Sequence, residues 1–360
     1  MTARTQGPVR VVGAGLLGAS IGQALTALGV DVALADHSRS AVSLAADYGA
    51  GRAERPDDRP ALVVVAVPPD VTAEIVATEL ASHPAAIVTD VASVKSGILA
   101  ELSAAGADLS RYVGSHPMAG RERGGTVSAR ADLFIGRPWV IAAPAAAGIA
   151  WRAVEALALD LGATPVRMDA TAHDRAVALV SHVPQLVSSL LAARLTEAPD
   201  EAVALAGQGL RDTTRIAASD PALWVQILGA NAPAVVEVLS GYRTDLDAAI
   251  AALQDPSAPG ARRAVAETIA AGGAGVARIP GKHGTSKRFA TITVLVDDRP
   301  GELARLLTEI GDLGVNMEDL RLEHSPGAQV GIAEIAVLPE AEARLIADLE
   351  AAGWRIGASE

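Results

Sequence analysis

Seven short apolar runs punctuate the first 168 residues, and their failure to alternate constrains the fold more than any other feature. They cover 9–12, 31–36, 61–67, 86–91, 112–115, 138–142 and 164–168. A run such as Leu-Val-Val-Val-Ala-Val at 62–67 offers no polar face to water. Strands of this kind must be covered on both sides, which implies a mostly parallel sheet between two layers of helices. Helical patterns fill the intervals, so this part of the chain reads as α/β.

After Thr171 the strand signal stops. Residues 171–195, 198–218, 221–254 and 258–272 carry helical spacing and are rich in Ala and Leu. Ser219-Asp220-Pro221 is a helix start, an Asp cap followed by proline at the first helical position. Pro184 falls inside the first of these segments, where a kink or break is expected. A glycine-rich polar stretch, 273–287, then reads as a linker. Beyond it, a strand at 289–296, a helix stripe of Leu303, Leu306, Leu307, Ile310 and Leu313, strands at 315–323 and 329–337, a helix at 340–352 and a strand at 354–356 give the order βαββαβ. That order forms a four-stranded sheet with two helices on one face.

The length of 360 residues suits two to three domains, and an apolar half supplies their cores. With only nine aromatic residues, those cores must be aliphatic. A net charge of −12 disfavours nucleic acid or an anionic membrane as partner. Cysteine is absent, which excludes disulfides, thiolate metal ligands and a cysteine nucleophile. Residues 1–8 lack signal-peptide character, and the uncharged stretch 176–193 is interrupted by Ser181, His182, Pro184, Gln185, Ser188 and Ser189. A soluble, cytoplasmic protein is expected.

Gly13-Ala-Gly15-Leu16-Leu17-Gly18 follows the first strand and opens a helix. In that context the first glycine allows a tight turn, the second lets backbone approach a pyrophosphate, and the third packs helix against strand. Asp36 ends the next strand eighteen residues after Gly18 and suits the two ribose hydroxyls of NAD. Arg39, three residues on, could instead accept a 2′-phosphate. The chain is expected to bind a dinucleotide, NAD in preference to NADP.

Of seven histidines, His37, His83, His283 and His324 read as solvated loop or turn residues. His116 follows a strand at the carboxyl edge of the sheet and precedes an irregular polar loop, where a neutral imidazole can act as a base. His173 and His182, nine apart, fall on opposite faces of a straight helix and make a poor metal pair, and no metal site is expected. His182 alone reads equally as a pocket residue or a satisfied core histidine. Arg211 and Arg215 share a helical face, with Asp212 able to pair with Arg215. Such arginines in an apolar helical region suit a substrate carboxylate.

Six segments bring these residues into a pattern: 13–20, Ala66-Val-Pro-Pro69, Asp90-Val-Ala-Ser-Val-Lys95, Gly114-Ser-His-Pro-Met-Ala-Gly120, Ser181-His-Val-Pro-Gln185 and the long Leu210-Arg-Asp-Thr-Thr-Arg through Trp224. Together they resemble the prephenate/arogenate dehydrogenase family of tyrosine biosynthesis, over about residues 8–275. Ala92, where the family commonly has glycine, is a small departure. The βαββαβ unit resembles an ACT domain of ferredoxin-like fold, with Asp298, Gly301 and Asn316 at its ligand-loop positions. The resemblance implies a Rossmann-type domain at 8–168, a helical substrate and dimerisation domain at 169–272, a linker at 273–287 and an ACT domain at 288–358. It further implies that His116 takes the proton of the ring hydroxyl while Ser93 aligns that hydroxyl with NAD. Arg215 would hold a substrate carboxylate, oriented by Asp212. His182, Trp224 and Glu122 would line or gate the pocket, and Val67 and Pro68 would join Gly13, Gly15, Leu16, Leu17, Gly18 and Asp36 around the cofactor. A homodimer and tyrosine as effector at the ACT domain are expected.

Two other readings compete. A β-hydroxyacid or imine reductase shares the domain plan, but the hydroxyacid type relies on a lysine in the helical domain and residues 151–270 contain none. A catalytically silent NAD and amino-acid sensor is opposed by the joint presence of His116, Ser93 and Arg215. Prephenate and arogenate, which differ by a keto or amino group, are left open by the residues.

Overall fold

The computed structural model describes residues 3–120, 124–279, 289–324 and 329–357. The chain divides into two compact units, one of 1–194 with 216–242 and one of 195–215 with 243–360.

The first unit is built on eight strands: β1 (Val9–Val12), β2 (Val32–Ala35), β3 (Arg52–Ala53), β4 (Leu62–Val65), β5 (Ile87–Asp90), β6 (Tyr112–Pro117), β7 (Pro138–Ala142) and β8 (Thr164–Arg167). Their order is β3-β2-β1-β4-β5-β6-β7-β8, with β1 to β6 parallel and β7 antiparallel to β6. The apolar runs are therefore strands, and β3, only two residues long, has no such run to announce it. Val63, Val64 and Val65 in β4 are each at most 1 % exposed, the double-sided burial that their unbroken apolar character requires. One layer of core packs the sheet against helices Leu16–Ala27 and Trp151–Asp160, and the other against Pro69–Ser82 and Ser96–Ala104. The order reverses between β1 and β4, which opens a crevice at the carboxyl ends of the strands.

The segment after β8 is helical, but less continuous than its periodicity suggests. Ala170–Val177 passes through a π-helical turn, Ala178–His182, into Val183–Ala193. Val183 N–H donates to Ala178 O, five residues back. Pro184 is thus accommodated without a break, because the widened turn relieves the clash between its ring and the carbonyl four residues earlier. By length and composition Ala170–Glu197 could cross a membrane, yet the polar residues that interrupt it, among them His182, Gln185 and Ser188, are buried in this fold. The expected helix 198–218 is two short ones, Asp200–Val203 and Gln208–Thr214, parted at Gly207. The expected helix 221–254 bends by 93° at Asn231. Ala261–Val276 runs on through Gly272 and Gly273 into the stretch read as linker, since glycine in a helix costs only about 1 kcal/mol against alanine.

In the second unit, β9 (Ala290–Asp297), β10 (Asp319–His324), β11 (Val330–Val337) and β12 (Arg355–Ile356) form a sheet in the order β10-β11-β9-β12, antiparallel throughout. Alternate residues Ile292, Val294, Ala333 and Ile335 are fully buried against Leu306 and Ile310 of helix Glu302–Asp312 and Leu345 and Leu349 of helix Pro339–Ala351. The βαββαβ expectation holds in its elements, and the residues that join β10 to β11, 325–328, lie outside the described residues.

Gly22, inside helix Leu16–Ala27, lies so near the backbone that a Cβ there would stand 2.1 Å from Ala50 O. Gly22→Ala would gain about 1 kcal/mol of helix propensity, but overpacking against a carbonyl costs about 1–3 kcal/mol and wins. A lowered midpoint in urea unfolding is expected, and a raised one would show that the helix can shift away.

Candidate active site

The glycine loop is shaped by contact. Gly13 has φ +103°, and a Cβ on it would stand 2.3 Å from Ala66 O, so the turn from β1 runs hard against the segment after β4. A Cβ on Gly18 would stand 1.9 Å from Gly13 O, whereas the space over Gly15 is open. No side chain caps helix Leu16–Ala27, and its first turn holds no acid. That combination is a cradle for a pyrophosphate, with unclaimed N–H groups and the positive end of the helix dipole facing it. Asp36 at the end of β2 accepts from Ala14 N and Ser38 N, each at 2.8 Å, which brings its carboxylate beside the loop. Val67 and Pro68 follow β4, the strand adjoining β1, and Pro68 caps helix Pro69–Ser82. The residues present fit an NAD molecule.

Ser93 lies in the loop between β5 and helix Ser96–Ala104. His116 is on the neighbouring strand, half-buried, and belongs to β6 itself rather than to the loop beyond it. The antiparallel partner β7 extends pairing past Ser115 and sets His116 opposite Val140. His116 Nδ1 is 2.9 Å from His173 Nε2, and His173 Nδ1 is 2.8 Å from Asp174 Oδ1. Asp174 in turn accepts from Lys95 N at Oδ1 and Ser96 N at Oδ2, both at 2.8 Å, at the start of helix Ser96–Ala104.

Beneath this chain Lys95, fully buried, pairs with Asp90, whose other oxygen accepts from Tyr112 OH at 2.7 Å. Burial pushes His116 well below the ordinary 6.5, and the neighbouring His173, Lys95 and His182 push the same way against Asp174. Burial would raise Asp174, but hydrogen bonds from His173, Ser96 and Lys95 hold it low. An acceptor imidazole and a lasting carboxylate are the outcome.

His182, 1 % exposed, sits edge-on to the ring of Trp224 with centroids 6.1 Å apart. Its Nδ1 is 3.1 Å from Asn231 Nδ2, which also donates to Asp174 O at 2.8 Å. A straight helix would put His173 and His182 on opposite faces. The π turn adds one residue between them and rotates the remainder of the helix by about 100°, so both reach the Asp174 region.

Arg211, Asp212 and Arg215 are exposed residues of the second unit. Asp212 accepts from Gln208 Nε2 at 2.8 Å instead of pairing with Arg215, because the helix ends at Thr214 and Arg215 begins a tighter turn. His83, expected to be solvated, is half-buried and lies 3.3 Å from Glu79. His37 is 97 % exposed at its side chain, as expected. Glu122 and His283 lie outside the described residues. In the C-terminal unit Gly301 takes φ +96° at the start of helix Glu302–Asp312, and Asn316 Nδ2 donates to Glu318 Oε1.

Sequence reasoning misses the linking residues. It weighs His173 only as half of a poor metal pair, and it does not single out Asp174, Asn231 or the Lys95–Asp90–Tyr112 cluster. The His-Asp pair in an apolar helix and an Asn at a helix junction are the signals that could have found them.

A Rossmann-type sheet with a dinucleotide cradle and a half-buried imidazole at the carboxyl edge defines an NAD-dependent dehydrogenase. Family models for the prephenate dehydrogenase nucleotide-binding domain and dimerization domain match residues 21–165 and 169–267. A probable prephenate dehydrogenase of Streptomyces niveus is 39 % identical over 354 residues, covering 96 % of this chain and 98 % of that protein. Synechocystis arogenate dehydrogenase is similar with TM-score 0.62 and 27 % identity, over 74 % of this chain and 99 % of that one. Aquifex aeolicus prephenate dehydrogenase, solved with hydroxyphenyl propionate and NAD+, shares the fold with TM-score 0.65 and 24 % identity, over 76 % and 99 %. The chain belongs to the prephenate dehydrogenase family, and its cofactor is NAD.

Burial holds His182 down to about 4 against 6.5 for an ordinary histidine. Between those values the unfolded chain takes up a proton that the folded one refuses, so stability rises with pH there and is complete above about 6.5. The melting temperature should fall as pH drops from 6.5 to 5, and less steeply in His182→Asn. An equal slope in the two proteins would show that His182 does not titrate this way.

Proposed function

We propose that this protein oxidatively decarboxylates prephenate to 4-hydroxyphenylpyruvate in tyrosine biosynthesis. The observation that carries the reading is His116, a neutral imidazole at the carboxyl edge of the sheet, on the strand next to the one that leads to Ser93. When bound, NAD accepts hydride from the ring carbon that bears the hydroxyl. His116 takes the hydroxyl proton as that C–H bond breaks, and Ser93 holds the hydroxyl in line. The electrons of the bond to the departing CO2 complete the aromatic ring. The proton then returns to the phenolic oxygen, so His116 ends as it began. By the family resemblance Arg215 binds a substrate carboxylate, and His182, Trp224 and Glu122 are the residues assigned to line or gate the pocket. Asp36 selects NAD, with Leu16, Leu17, Val67 and Pro68 packed about the cofactor.

Arogenate is the alternative substrate, favoured by the likeness to the Synechocystis enzyme. Initial rates of NADH formation with prephenate and with arogenate separate the two. Turnover of neither, by folded protein, removes the catalytic reading. His116→Asn should lower kcat roughly 10²–10⁴-fold. In the wild type the acidic limb of kcat/KM should lie below pH 6.5, because only neutral His116 accepts the proton and burial depresses its pKa. A limb above 6.5 would assign the base elsewhere.

A soluble, cytoplasmic homodimer is the proposed state. It is supported by the match to the dimerization domain and by an apolar stripe of Tyr242, Leu246, Ile250 and Leu253, each 44–64 % exposed, along helix Ala232–Gln254. The proposed domain limits are those of the sequence: 8–168, 169–272, a linker at 273–287 and 288–358.

The antiparallel βαββαβ unit is proposed to be an ACT domain that binds tyrosine as feedback inhibitor through Asp298, Gly301 and Asn316. Its support is the left-handed Gly301 between β9 and the next helix. Tyrosine should bind in calorimetry and inhibit, and Asn316→Ala or Gly301→Ala should weaken both. No heat and no inhibition would leave the domain without this effector.

A further inference from the structure

The hydrogen bonds that join Asp174 to the two pocket histidines run in fixed directions. Both oxygens of the Asp174 carboxylate already accept backbone N–H groups, from Lys95 and Ser96, so toward His173 it can only accept. His173 Nδ1 must therefore carry a hydrogen. In a neutral imidazole the other nitrogen is then an acceptor, so His116 Nδ1 donates to His173 Nε2. What is left on His116 is the lone pair of Nε2.

The second branch begins at the same residue. A backbone carbonyl only accepts, so the Asn231 atom 2.8 Å from Asp174 O is its amide nitrogen. The other hydrogen of that amide points at His182 Nδ1, which must accept. His182 therefore carries its hydrogen on Nε2.

We propose that His173 and Asn231 are positioning residues that give the two pocket imidazoles opposite polarity: His116 a proton acceptor at Nε2, His182 a hydrogen-bond donor at Nε2. Asp174 anchors both, through its carboxylate and its carbonyl. The proposal rests on the dehydrogenase reading for its kinetic consequences only. His116 takes the hydroxyl proton at Nε2, the imidazolium is stabilised through His173 by Asp174, and the proton goes back to the phenol oxygen. No proton needs to leave through the chain. His182 Nε2–H donates to a carboxylate or keto oxygen of the substrate and does not change its protonation. His173 is 0 % exposed, and its two ring nitrogens face Asp174 on one side and His116 on the other. Without these partners each ring could populate either tautomer, and half of the arrangements would offer an N–H where a base is required.

The direct test is 15N NMR of the full chain labelled at histidine, near pH 7.5, with signals assigned by loss in His116→Asn, His173→Asn and His182→Asn. His116 and His173 should report Nδ1–H and His182 Nε2–H. A His116 that carries its proton on Nε2, or a doubly protonated His173, overturns the proposal. The charged and titratable groups facing His116 are His173, Lys95, His182 and Asp174.

Kinetics supply the second arm. His173→Ala should lower kcat about 10–100-fold, the usual effect of removing a partner that orients a working side chain, with little change in KM. Added imidazole should restore part of it. His173→Gln keeps a donor for Asp174 and an acceptor for His116, and should retain most of the rate. Asn231→Leu should instead raise KM. A folded His173→Ala with unchanged kcat, or one that glutamine does not rescue, overturns the role. Should the wild type turn over neither substrate, the NMR result still decides the tautomers, so failure of the reaction and failure of this positioning role can be told apart.

Discussion

A carboxylate laid across the start of a helix ties the catalytic end of this molecule together. Asp174 receives two backbone N–H bonds from Lys95 and Ser96 at 2.8 Å and a third from the imidazole of His173. It comes from the first helix of the segment matched to the dimerization domain, and the helix it caps belongs to the nucleotide-binding domain. One charge-assisted contact thus docks the two against each other and holds His173 beside His116. Burial would raise its pKa, but the hydrogen bonds from His173, Ser96 and Lys95 hold it low, so the carboxylate accepts as an ionised group.

The electrostatics below that contact favour the neutral form of His116. A buried Lys95 beside Asp90 adds positive potential under His116, and His173 and His182 would add more if they were charged. In a site of low polarity these effects and desolvation act together, and the imidazole is available as an acceptor at neutral pH. Buried ion pairs contribute little net stability by themselves, because desolvation offsets the attraction. The consequence of Lys95–Asp90–Tyr112 is better sought in the field it sets up than in the fold.

Most of the nucleotide-binding half was legible along the chain. The unbroken valine runs named the buried strands, and the glycine loop named its turn because Gly13 and Gly18 stand where no Cβ fits. His116 was legible from its place at a strand end. The helical segment was less so. Its spacing cannot register a π turn, so Pro184 read as a break and His182 as facing away from His173. Asn231 looked like a continuation of one long helix, whereas the chain turns by 93° there and aims the amide at His182. Asp212 illustrates a different limit: helical spacing brought Arg215 within reach, but the helix ends one residue before it.

Local pattern along the chain was enough for double-sided burial, the phosphate-binding turn, the βαββαβ order and the place of His116 at the carboxyl edge of the sheet. These rest on hydrophobic period and on steric limits at single residues, which a linear reading can evaluate. Which nitrogen of each imidazole is free was fixed only in three dimensions. It depends on the hydrogen bonds among His116, His173, Asp174, His182 and Asn231, residues distant along the chain and brought together by a helix cap and a π turn. Directionality in a hydrogen-bond chain is a property of contacts, and contacts at such separations leave no period in the sequence.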